Sequence, residues 1–172
     1  MTFSINKPYE IVQESTALWE FLKINYSNTA FYDSVKIDEY AASRKWLDDP
    51  KQSQSFLDTV LRCKYISPVV LLEKPDNMRE ILDGRQRISV IRDFLSGKIH
   101  IPQSLEDMVQ FKNLIGHKFT KLHTEIQDYM RLKLTLDVDV IKGIKDEQEA
   151  RRLFFSLHPG LVPEGANRAQ IR

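Results

Sequence analysis

Five consecutive residues, Asp83-Gly84-Arg85-Gln86-Arg87, bring together a carboxylate, a glycine and two guanidinium groups. The apolar pair Ile81-Leu82 leads into them, and Ile88, Ile91, Phe94 and Leu95 follow at helical spacing, so the stretch reads as a strand-to-helix corner. Such a corner suits an anion. Gly84 has no side chain to block close approach and tolerates left-handed backbone, which lets the amides of Arg85 and Gln86 face an oxyanion at the helix N-terminus. Arg85 and Arg87 add fork-shaped donors that match phosphate. Asp83 has two available jobs: to orient those arginines, or to hold a magnesium ion that bridges phosphate oxygens. The local chemistry says phosphate without saying whose.

Other chemistry-bearing residues are weaker. Glu80 and Asp76 are candidate water-activating or metal-holding carboxylates only by nearness in sequence, and hairpin acids of this kind are mostly solvated. His100, His117, His123 and His158 have no ligand spacing on a helix and no cysteine partners. Cys63, the one cysteine, excludes an internal disulfide and reads as a small buried hydrophobe. Lys112, Lys118, Lys121, Arg131 and Lys133, interleaved with Phe111, Phe119 and Tyr129, are a candidate contact for a DNA backbone, with an ordinary solvated face as the alternative. Arg44 and Trp46 are candidates for the same pocket as Asp83–Arg87, the indole stacking on a base and the guanidinium on phosphate. A core tryptophan beside a surface arginine is the plainer reading.

These residues need elements to position them. Glu14 to Ile24 predicts an amphipathic helix through Leu18, Phe21 and Leu22, and Lys51 to Tyr65 a second through Phe56, Leu57, Val60 and Leu61, with Asp58 and Arg62 paired on its wet side. Pro68 to Glu73 and Met78 to Leu82 predict a β-hairpin about the turn Lys74-Pro75-Asp76-Asn77, and its second strand delivers Asp83. The following helix ends at Ser96-Gly97. A short helix is expected after Ser104, an irregular basic stretch from Phe111 to Leu122, and a helix from His123 to Leu132. Leu134 to Ile141 alternates as a half-buried strand, and Asp146 caps a last helix that points Ala150, Leu153, Phe154 and Leu157 inward. A few strands among several helices indicate an α+β fold. The tail from Leu161 begins another helical pattern and stops at Arg172, which suggests a single domain, residues 1–172, cut short at its C-terminal end.

Composition narrows the classes. The chain has 172 residues, 42% of them apolar, enough for one domain with a sizeable core. A net charge of +1 argues against a protein that coats DNA, so nucleic acid would be met by a local patch. No run approaches membrane-spanning length and the N-terminus lacks a signal-peptide core, so the expected location is the cytoplasm.

Three separated features then resemble one known family. They are Arg44 with Trp46; Asp83-Gly84-Arg85-Gln86-Arg87 with its Ile88-Ser89-Val90-Ile91 helix; and Phe154-Phe155-Ser156-Leu157-His158-Pro159-Gly160 followed by Glu164 and Asn167. The second is similar to the DGQQR motif of the N-terminal domain of GmrSD-type modification-dependent restriction enzymes, a ParB/sulfiredoxin-like domain. The departures are Arg85 in place of the usual Gln, His158 in place of Asn, and Ala166 where Arg is common. The resemblance implies a small mixed sheet whose hairpin feeds a phosphate-binding helix. It also implies a domain that binds or hydrolyses a nucleoside triphosphate, with Mg²⁺, in DNA restriction and phage defence. On that reading Glu164 and Asn167 complete the pocket, Asp83, Arg85 and Arg87 are its catalytic candidates, and DNA cutting belongs to a separate nuclease domain or subunit. Two alternatives stand beside it: a non-enzymatic module that reads modified DNA, and a metal-dependent nuclease built on Asp83, which so few carboxylates disfavour.

Overall fold

The computed structural model describes residues 9–17, 49–74 and 79–157. Within them the elements run β1 (Glu10–Ala17), α1 (Pro50–Leu61), β2 (Val69–Glu73), β3 (Arg79–Asp83), α2 (Arg85–Leu95), α3 (Thr124–Lys133), β4 (Thr135–Lys142) and α4 (Glu147–Leu157). Two short 3-10 turns, Gln103–Asp107 and Phe119–Lys121, lie between α2 and α3. This is the α+β class that the mixture of patterns indicates.

The four strands form one mixed sheet in the order β1-β4-β2-β3. β1 is antiparallel to β4, β4 parallel to β2, and β2 antiparallel to β3. The hairpin falls where the sequence places it. Strand alternation sends the side chains of β2 to two different cores. Val69 and Leu71 join Ile81, Leu136, Val138 and Val140 beneath α1, α2 and α3. Val70 and Leu72 join Leu82 and Ile141 beneath Ala150, Leu153, Phe154 and Phe155 of α4. Helices therefore cover both faces, and each fully buried Leu, Ile or Phe contributes roughly 1.5–3 kcal/mol.

Several local expectations need correction. Glu14 to Ala17 are strand, not the start of a helix: Ile11 to Thr16 pair residue by residue with β4, and Val12 packs on the main core. Cys63 is exposed, not buried, with φ 52°. Glu80 is buried rather than solvated, and its carboxylate takes an ion pair from Lys74. Inward on α4 is Phe155, while Leu157 is 42% exposed, because the second core reaches only to the turn carrying Phe154 and Phe155.

Helix α1 is framed by its own side chains. Asp49 accepts from the Lys51 amide at 2.9 Å, with Pro50 at the first helical position. The Asp58–Arg62 pair forms at 2.9 Å but is not on a wet face: Arg62 also donates to Asp107 at 2.6 Å and to the Ser104 carbonyl, binding the helix end to the 103–107 turn.

A charge chain crosses all four strands. Arg79 of β3 pairs with Glu14 of β1 at 2.9 Å and with Glu73 of β2 at 3.4 Å, and Glu73 accepts from Lys142 of β4 at 2.9 Å. The Lys142 hydrogen bond holds the Glu73 carboxyl below its ordinary value near 4.5. A depressed carboxyl stabilises the fold above its unfolded pKa, and that contribution fades as pH falls through the folded value. Glu73→Gln is accordingly expected to cost about 0.5–1 kcal/mol at pH 7 and clearly less at a pH well below 4.5. Urea melts at the two pH values test this; an equal cost at both would refute it.

Candidate functional site

Strand β3 ends at Asp83 and helix α2 begins at Arg85, so one residue turns the chain between them. Gly84 does so with φ 105° and ψ 4°. Its carbonyl accepts the first helical bond from the Ile88 amide at 3.0 Å, and it provides no side-chain cap. A Cβ here would lie 2.7 Å from Cγ2 of Val69 and 3.3 Å from Nη2 of Arg87. Glycine is thus required by the turn and by contact with the sheet. The first amides of α2 have no acceptor within the helix, and the positive end of its dipole is aimed out of this corner.

The corner divides its two arginines. Arg87 is buried, its side chain 9% exposed. Its Nη2 donates to Asp83 Oδ2 at 2.8 Å and to the Pro68 carbonyl at 3.2 Å; its Nη1 donates to Ser67 Oγ at 2.8 Å and to the Ser67 carbonyl. Arg85 is exposed and Gln86 half-buried. Residues two apart on a helix do not share a face, so once Arg87 turns to the sheet Arg85 must turn outward. Asp83 therefore takes the first of its two available jobs, orienting an arginine. At the corner Arg85 is thus the exposed guanidinium, with Gln86 half-buried beside it.

A magnesium ion fits this corner poorly as a protein-held metal. Asp83 already shares Oδ2 with a guanidinium, and among the described residues no three His, Cys, Asp or Glu side chains converge.

The remaining candidates are scattered. Arg44, Trp46, Asp76, His158, Glu164 and Asn167 lie outside the described residues. In the basic stretch, Phe111 and Phe119 are core residues, and Arg131 lies over the Phe119 ring at 5.4 Å. Lys112, Lys118, Lys121, Lys133 and Tyr129 are exposed. Two features lie almost wholly beyond sequence reading. The anchorage of Arg87 by Ser67 and Pro68 has no local signal, being a contact across 19 and 20 residues. A hollow of about 210 Å³ between the ends of α1 and α3 is lined by Lys64, Tyr65, Lys133 and Asp137 over Val60 and Leu134; its one hint is an aromatic between Lys64 and Ile66, where no helical or strand period needs it.

No helix among the described residues is long and apolar enough to cross a membrane. No family model, no curated protein and no solved structure matches the chain.

Proposed function

We propose that this chain is a ParB/sulfiredoxin-like domain that binds a nucleoside triphosphate and acts as a sensor or switch in DNA restriction and phage defence, in the cytoplasm. The reading is supported by the resemblance around Asp83–Arg87. The observation that carries it is a helix N-terminus entered through an uncapped glycine with an exposed arginine, Arg85, at its first position. The β- and γ-phosphates, bringing Mg²⁺ with them, meet the amides of Arg85 and Gln86 and the Arg85 guanidinium. Should hydrolysis follow, these same groups stabilise the charge that develops on the transferred phosphoryl. Asp83 and Arg87 act as positioning residues, and the resemblance adds Arg44, Trp46, Glu164 and Asn167 as further candidates for the same ligand. Strand cutting falls to a nuclease domain or subunit elsewhere.

A second reading, a DNA-binding module, draws on Lys112, Lys118 and Lys121, exposed within a stretch from Val109 to His123 that has no Asp or Glu.

Thermal melting with each of the four nucleoside triphosphates and Mg²⁺ separates the two. Ligand at about one hundred times its Kd adds about 2.7 kcal/mol, a rise of roughly 5–10 °C for a chain of this size. The rise is expected in the wild type and lost in Arg85→Ala. Absence of any nucleotide effect, with duplex DNA binding that weakens steeply in salt, would replace the first reading by the second.

A further inference from the structure

The hollow between α1 and α3 opens at the same end of the sheet as the glycine corner. β2 and β4 are parallel, so both begin there, and β3, antiparallel to β2, ends there. Lys64 and Tyr65 precede β2, Lys133 precedes β4, and Asp137 lies within its first turn of pleats. Tyr65 stands four residues before Val69, the side chain against which Gly84 is set, so at most about 14 Å of chain separates them.

The lining has the make-up of a ring site with a charged tail. Val60 and Leu134 form an apolar floor, both under 8% exposed. Tyr65 is 81% exposed, an expensive way to leave an aromatic ring unless something lies on it. Lys64 and Lys133 come from separate elements, and both are exposed. Asp137 supplies an acceptor for amino or imino N–H groups. The backbone here is stiff: Lys64 N donates to Thr59 O at 3.1 Å and Cys63 N to Val60 O at 2.9 Å, closing the end of α1 on itself.

From this placement we infer that the hollow seats the base of the nucleotide whose phosphates the Gly84–Arg85 corner holds. The base stacks on Tyr65 over Val60 and Leu134, Asp137 accepts from its N–H edge, and Lys64 and Lys133 draw in the phosphate arm as it leaves toward Arg85. The inference rests on the nucleotide reading above, and it adds where base selectivity resides.

The test compares the four Mg-nucleoside triphosphates with Mg-tripolyphosphate, which has the phosphates and no ring, by titration calorimetry at fixed ionic strength. Wild type is expected to bind its preferred nucleotide about 10-fold more tightly than tripolyphosphate, the worth of one base–aromatic stack. Tyr65→Ala should abolish that ratio while leaving tripolyphosphate affinity and melting temperature unchanged, since Tyr65 is exposed. Asp137→Asn should alter the order of preference among the four bases. Equal binding of nucleotide and tripolyphosphate by wild type, or a ratio indifferent to Tyr65→Ala, overturns the base site while the phosphate corner stands. No binding of either overturns the corner itself, and the base site with it.

Discussion

Arg87→Ala is expected to cost about 2–4 kcal/mol of stability before it affects any ligand. The guanidinium is buried and donates to Asp83, to Ser67 through both its carbonyl and its hydroxyl, and to the Pro68 carbonyl. It ties the first turn of α2 to the start of β2, and truncation leaves those acceptors facing a void. Breaking one partner of a buried pair typically costs 3–5 kcal/mol; Asp83, with 28% of its side chain exposed, can recover some hydration, which lowers the figure. Arg87→Lys keeps the charge but not the fork, so it should recover less than half the loss. Thermal melting would show a fall of roughly 5–15 °C for the alanine variant; a melting temperature equal to wild type would show that Arg87 holds nothing together. This is also why Arg85, not Arg87, is the informative position for nucleotide binding: a loss of ligand in Arg87→Ala would not distinguish an absent contact from a displaced helix.

Gly84→Ala is expected to cost about 2–4 kcal/mol as well, by another route. A left-handed conformation costs an L-residue roughly 1–2 kcal/mol, and φ 105° is further from comfort than the usual left-handed well. The added methyl would also lie 2.7 Å from the Val69 side chain, whose buried position at the head of β2 leaves it little room to move. Gly116→Ala is the control, with φ 74° and nothing within 4 Å of the new carbon, and it should lose only about 1 kcal/mol. If the two alanine variants melt alike in urea, the clash with Val69 is not real. Relief of part of the Gly84→Ala loss by Val69→Ala would locate the strain at that contact.

Much of this organisation is legible in the residues, and the losses have causes. The hairpin, the Asp83-Gly84 corner, helix α2 and strand β4 each show a local signal, whether turn residues, a glycine, or clean alternation from Leu134. Strand β1 has no such independence. It pairs with a strand some 126 residues away, at Gln13 and Asp139 for example, and the helical spacing of Leu18, Phe21 and Leu22 obscures it. The parallel pairing of β2 with β4 is equally non-local. At the site, the glycine and the helix start are readable, whereas the opposed directions of Arg85 and Arg87 follow from their i, i+2 spacing only once the helix is granted. Which arginine turns inward depends on Ser67 and Pro68, and no pattern in the five-residue motif points to them.

Helices α1 and α2 stop in the same way, each folding its last carbonyls back onto two following amides, but α2 uses Gly97 at the left-handed position and α1 uses Cys63. The chain's one thiol is thereby fixed on a rigid bend, open to solvent, at the rim of the hollow beside Lys64 and Tyr65. A maleimide dye coupled there would label one atom of the protein without entering either core. Its emission would then register occupancy of that rim in real time, turning the least comfortable backbone position among the described non-glycine residues into a built-in spectroscopic gauge.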